Sequence, residues 1–451
     1  MGLRGFLTFF IALILIPIAS LAVDFNLSVD DSSPRSRERS VKSDVVLNRA
    51  LQLFYMGDFS KSYELLDLVD RKYNLIKKKE TILSAFLKNF IQTLANDSVV
   101  SYTPWIYEMV SVNTFKGIDS LFLGRENHAG VEFNRALVRE LEAEDAFRKE
   151  IEKQEKAIQQ EYSSSQNSDV FRRENLEKTV SYILEKYYSS LNQFRAYRGF
   201  LNPFTDYISG IYFLALGNYE KATDLLKRSY GLVRNKEPGS HFIAEDFKLS
   251  FERMQQVTPG KVKRLWIVVF NGRIGQRVEK RIDVPLFLVT EKVLYTGLAL
   301  PDIKPGTRAV PFVAYSIGNR KGRTERIVDM DLLEKIEFKK RFQAIALRAV
   351  VRALIFTLGQ LETKKTAKKV IAGYHFIMNR ADTRQWKNLP KEVQIASVDL
   401  TNFSEKKVIL TLRNPQSQEE KLISIDTEKS TLIVVSCPDE NTFEVFKREL
   451  N

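Results

Sequence analysis

The sequence is poor in the residues that carry most chemistry, with one cysteine and three histidines in 451 residues. A single cysteine, Cys437, excludes an internal disulfide and a cysteine-rich zinc site. It closes the apolar run TLIVVSC, which has the pattern of a buried strand, so it reads as an inert core thiol. His128, His241 and His375 lie in separate segments with no cysteine or carboxylate at metal-ligand spacing, which argues against zinc binding and His-based nucleophilic catalysis. The G-x-S-x-G, P-loop and G-x-G-x-x-G patterns are missing, and the glycines of NGRIG and KPGTR read as loop residues. Carboxylates are numerous but fall on charged helical segments, where they cannot converge as a pair in a cleft. The expectation is a chain with no catalytic residues, no metal and no cofactor.

Long hydrophobic runs are also missing, except at the N-terminus. MGLRGFLTFFIALILIPIASLAVDF has a basic start at Arg4, an apolar run from Phe6 to Ile18, and small residues Ser20 and Ala22 before Val23. Residues 1–22 read as a secretory signal peptide; the alternative is an uncleaved membrane anchor, for which the run is short of the ~20 residues of a comfortable span. Residues 23–43 are polar and serine-rich, a flexible tether. The 69 basic and 56 acidic residues give a net charge of +13, which favours anionic partners. Export to the periplasm sets nucleic acid aside. Envelope proteins, an anionic membrane surface or peptidoglycan remain.

Length allows two or three domains, and the composition changes once. Residues 44–256 carry three- and four-residue apolar spacing with few prolines, the mark of helices. Three segments share one register: Ala50 and Gly57, Gly117 and Gly124, and Gly210 and Gly217 are each seven residues apart. Five residues beyond the second glycine come Ser62, Ala129 and Ala222, and nine beyond it Leu66, Phe133 and Leu226. Small residues flanking a turn glycine, followed by a large apolar one, form the tetratricopeptide pattern of two closely packed helices. The spacing between turn glycines is roughly two and then nearly three periods of about 34 residues. The second gap holds a long charged stretch that reads as an inserted helical hairpin turning at SSSQNS. Residues 257–451 read as a β-rich domain with one long helix at 331–360, whose basic apolar-striped surface either packs on the sheet or lies on a membrane. LWIVVF and RVEKRIDVPLFLVT, separated by Asn271-Gly272, read as a hairpin. The fold class expected is therefore α+β, with degenerate helical repeats first and a β-rich part second.

Five blocks, NTFKGIDSLFLG, FLNPFTDYISGIYFLALGNYEKA, IVVFNG, IEFKKRFQAIALRAVVRA and ADTRQWKNLPKEVQIA, occur in that order. With them the chain resembles a group of exported, tetratricopeptide-containing bacterial envelope proteins, most of them lipoproteins, whose activity is not established. The resemblance implies a Gram-negative periplasmic protein whose relatives are often encoded near lipoproteins that activate cell-wall synthases. Unlike most members, this chain has no lipid-attachment cysteine near its signal segment.

Two sets of residues are candidates for partner binding. Gln52, Asn113 and Tyr212 stand beside the packing register and would face the concave surface lined by the first helices of stacked hairpins. Asp382, Arg384 and Trp386, with Lys387 nearby, form either a recognition loop or a structural one, in which Asp382 caps a turn onto Arg384 and Trp386 closes the edge of the β domain. The functional expectation is a non-catalytic adaptor or scaffold; the alternative is a regulator of peptidoglycan synthesis acting on or with a synthase activator. Intact-mass measurement of the native protein is expected to give a chain beginning near Val23, and a full-length cytoplasmic product would refute the export reading.

Overall fold

The computed structural model describes residues 42–79, 102–163, 173–192, 197, 201–285, 295–362, 380–401, 403–413 and 418–450. The signal segment, nearly all of the tether, His375 and most of SSSQNS lie outside them. The protein is mixed α and β. Its helices run α1 (Ser43–Tyr55), α2 (Phe59–Lys79), α3 (Ile106–Phe122), α4 (Glu126–Ser163), α5 (Arg173–Tyr187), α6 (Pro203–Ala215), α7 (Tyr219–Val233) and α8 (Ser240–Met254). Among the described residues the first strand starts at Arg264.

Three pairs, α1 with α2, α3 with α4 and α6 with α7, are helical hairpins with one turn design. Gly57, Gly124 and Gly217 have φ of +79°, +74° and +78°, a region closed to most side chains. Each glycine N–H donates to the carbonyl three residues back, of Phe54, Leu121 and Leu214. The next N–H donates to the carbonyl five back, of Leu53, Ser120 and Phe213. This is the left-handed helix cap that satisfies otherwise orphaned carbonyls. Seven residues earlier the helices approach closely. A methyl on Gly117 would sit 2.4 Å from the Phe133 ring, and one on Gly210 2.8 Å from Leu226 Cγ. Ala50 and Leu66 hold the corresponding places in the first hairpin, fully buried, as are Ser62, Ala129 and Ala222.

The strands are β1 (Arg264–Asn271), β2 (Gln276–Pro285), β3 (Tyr295–Lys304), β4 (Val313–Ile317), β5 (Arg320–Arg323) and β6 (Glu325–Asp329). After α9 (Met330–Glu362) come β7 (Glu392–Asp399), β8 (Lys407–Arg413), β9 (Gln418–Ser424), β10 (Ser430–Cys437) and β11 (Glu444–Leu450). They form a central sheet ordered β11-β10-β1-β7-β6, a four-stranded sheet β5-β4-β8-β9 and a ribbon of β2 with β3. The expected β1–β2 hairpin does not form. Instead β1 runs parallel to β10 and antiparallel to β7, because all eight of its residues are buried and need neighbours on both edges and both faces. Strand β2, half exposed, pairs with β3. Asn271, which was expected to open the hairpin turn, anchors a distant loop: its Nδ2 donates to the Val310 carbonyl, and its Oδ1 accepts from the N–H groups of Ala309 and Val310.

The helices lie directly on the central sheet. Phe270 of β1 meets Phe54 of α1, Phe115 of α3 and Phe204 of α6, with ring centroids 5.4, 5.1 and 5.5 Å away. The alternate residues Leu265, Ile267 and Val269 point the other way. They share the core with Val313, Tyr315 and Ile317 of β4 and Val408, Leu410 and Leu412 of β8. One continuous core thus joins helices and sheets. A second core gathers Leu176, Val180 and Ile183 of α5, Val284 and Leu300 of the ribbon, and Phe338, Phe342 and Val350 of α9. The charged segment between the second and third hairpins therefore ends in a helix, α5, that belongs to the α9 layer.

The close approach at Gly117 and the open space at Gly231, which has no heavy atom within 4 Å of its missing Cβ, give opposite expectations. Gly117→Ala should lower stability by about 1–3 kcal/mol through overpacking, whereas Gly231→Ala, inside α7, should raise it by about 0.4–1 kcal/mol. Denaturant titration checks both, and equal effects would refute the packing argument.

Candidate functional site

The structure places the groove candidates in different settings. Asn113 is buried between α2, α3 and α4, where its Nδ2 donates to Glu132 at 2.6 Å and its Oδ1 accepts from Arg139. Beside it the fully buried Lys116 ammonium lies 2.8 Å from Asp67, 2.9 Å from Asp70 and 3.1 Å from Glu132. Tyr212 is buried as well, its ring 5.3 Å from that of Phe133 and its hydroxyl donating to the Glu126 carbonyl at 2.9 Å. Asn113 is enclosed by its own hairpin and the first, Tyr212 faces the second, and the inner face they were expected to line is covered by the central sheet. Gln52 is exposed on α1 and accepts from Arg49 Nη1 at 3.3 Å.

The block from Ala381 to Pro390 is tied down along its length. Asp382 accepts from the Arg384 backbone N–H at 3.1 Å and from its Nε and Nη2 at 2.9 and 2.8 Å. Trp386 is fully buried with its ring 5.8 Å from Phe115, so it is part of the core and not a surface anchor. Asn388 binds α1 reciprocally: its N–H donates to Asn48 Oδ1 at 3.0 Å and its Nδ2 to the Asn48 carbonyl at 2.8 Å, while Asn48 Nδ2 donates to the Gln385 carbonyl at 3.1 Å. The Tyr55 hydroxyl adds a bond to the Asn388 carbonyl.

Beneath this loop lies a buried ionic cluster that sequence reading missed. Arg277, in the alternating run of β2, looks solvent-facing from its neighbours Glu279 and Arg281. Its guanidinium is instead buried 3.3 Å from the centroid of Trp105, donating to Glu334 at 2.8 Å, to the Arg384 carbonyl at 3.0 Å and to the Tyr107 hydroxyl at 3.2 Å. Glu108 accepts from the N–H groups of Trp105 at 2.7 Å and Trp386 at 2.9 Å and from the Tyr102 hydroxyl. Glu337 of α9 accepts the N–H groups of Ile106 and Tyr107 at the start of α3. Burial pushes the Glu334 carboxyl up to about 7, against the pull of Arg277, and raises that of Glu108 too. Glu334 Oε2 has no hydrogen-bond partner whereas Glu108 has several donors, so Glu334 is the carboxyl that takes up a proton first. The cluster joins α3, β2, α9 and the loop.

An open depression of about 520 Å³ lies instead on the outer side of the same loop. It is lined by Asp44, Val45, Asn48, Arg49 and Gln52 of α1 and by Thr383, Arg384, Gln385 and Lys387. Gln52 and Arg384, singled out in segments more than three hundred residues apart, thus meet at one site. Among the described residues no group of His, Cys, Asp and Glu is arranged to hold a metal, and no helix is long and apolar enough to cross a membrane. Comparison of the chain with known protein families, curated proteins and solved structures finds no match.

Since folded Glu334 keeps its proton up to about pH 7 and an ordinary glutamate releases it near 4.5, the native state binds more protons than the unfolded state in that window. Stability from this group is full below about pH 4.5 and falls as pH rises towards 7. The wild-type advantage over Glu334→Gln should therefore shrink between pH 5 and pH 8, on the order of 1–3 kcal/mol. Thermal or urea melts at both pH values read it; a pH-independent difference would mean that Glu334 is ionised throughout.

Proposed function

We propose that the protein is a non-catalytic adaptor or scaffold of the bacterial envelope, built on degenerate tetratricopeptide-like hairpins and exported by its N-terminal segment. The observation that carries this reading is the pairing of an open depression with cationic side chains in its lining and a closed inner face. Phe270 and its sheet fill the surface that such hairpins commonly offer to a peptide, while helix α1 and the 381–388 loop together form a recess facing solvent. The three shared turn geometries support the repeat assignment. The carboxyls raised by burial, among them Glu108, Asp119, Glu140 and Glu334, lie inside helix and sheet junctions, which favours a structural use for them over acid–base chemistry.

Partners are envelope proteins that reach the outer side of the molecule, and the inner face of the hairpins takes no part. Crosslinking of the intact protein in cells, followed by affinity capture and mass spectrometry, is expected to recover the same envelope protein repeatedly. Recovery of no protein, together with turnover of a cell-wall substrate by the purified chain, would overturn the adaptor reading.

A further inference from the structure

The depression between α1 and the 381–388 loop has a lining that selects by charge. Arg49, Arg384 and Lys387 face it against a single lining carboxylate, Asp44. These cations are not equivalent. Arg384 is already bound by Asp382 through its Nε and Nη2. Arg49 and Lys387 are exposed; Arg49 donates only to the neutral amide of Gln52, and Lys387 pairs with no carboxylate among the described residues. Val45, 58% exposed, adds an apolar foothold beside them.

The floor and walls are fixed before any ligand arrives. Gln385 is held by bonds to the Gly275 carbonyl and from the Arg277 N–H, and Asn48 and Asn388 clamp the helix to the loop. A ligand therefore finds two cations without a carboxylate partner on backbone segments that are already held, so only their side chains need ordering on binding. The volume falls within the range of about 300–1,000 Å³ typical of ligand sites.

We infer that this depression binds an acidic segment of a partner protein, with carboxylates on Arg49 and Lys387 and an apolar side chain against Val45. The planar guanidinium of Arg49 suits a carboxylate held by two parallel hydrogen bonds, and Lys387 supplies a second point charge. The inference rests on the adaptor reading for its biological partner and on the lining alone for its ligand chemistry.

Fluorescence anisotropy of the intact protein with an end-capped peptide of Glu, Asp and Leu tests it, beside the same peptide carrying Gln and Asn. The acidic peptide is expected to bind at least about tenfold more tightly than its amide counterpart, and to weaken as salt shortens the screening length. The double variant Arg49→Gln, Lys387→Gln should lose that preference while its far-ultraviolet circular dichroism and melting temperature stay unchanged, since both side chains are exposed. Equal binding of the two peptides, no binding by wild type, or a variant that binds like wild type would overturn the inference. So would loss in the variant of binding to anionic lipid vesicles with no response to either peptide, which would assign the cations to a membrane surface. A partner captured equally by wild type and variant would keep the adaptor and remove the acidic site. Acidic-peptide binding with no captured partner would keep the site and remove the adaptor.

Discussion

Phe270 is the contact on which the arrangement of the molecule depends. It sits in a strand buried on both faces, and three phenylalanines from three separate hairpins converge on it. Each such aromatic contact is worth about 0.5–1.5 kcal/mol beyond the area it buries. Its larger effect is geometric. Once the first helices of the hairpins rest on β1, their inner face is closed, and the other face of β1 must be covered by the four-stranded sheet.

Polar pins fix how the layers sit on one another. Asp246 of α8 accepts from Arg264 Nε, Trp266 Nε1, the Tyr207 hydroxyl and the Ser397 hydroxyl, tying α6, α8, β1 and β7 at one carboxylate. Arg277 and Glu108 do the same for α3, β2, α9 and the 381–388 loop. Buried ions of this kind add little net stability, because desolvation offsets most of their attraction, yet breaking one leaves an uncompensated charge. Their geometry disfavours slipped or rotated packings that a purely apolar interface would tolerate.

The same pins explain why the accessible recess lies where it does. Trp386 is consumed by the core and Gln385 is held from within at the floor of the recess, so Thr383, Arg384 and Lys387 are what the loop adds to its wall. Helix α1 supplies Asn48, Arg49 and Gln52 to the opposite wall. The proposed adaptor role follows from this division between an inward structural side and an outward cationic one.

Local chemistry decided what could be read from the sequence. A turn glycine at positive φ and a small residue seven places before it are constraints within one hairpin, so the three hairpin registers were legible in Ala50, Gly57, Gly117, Gly124, Gly210 and Gly217. Continuous apolar runs likewise announced β1 and β10 as buried strands. Their parallel pairing was not legible, since Leu265 and Thr431 are brought together by packing of the whole chain and by no local signal. Arg277 stands in an alternating charged run that reads as solvent-facing, and Asn113 and Tyr212 read as groove residues; only the neighbours supplied by distant segments buried them. The sequence by itself determined the three helical hairpins with their glycine turns and the most buried strands, because those depend on a few adjacent residues, whereas the hairpin expected at Asn271 depended on pairing and did not form. The tertiary structure alone decided which faces remain open, because exposure belongs to the assembled layers and not to any single element.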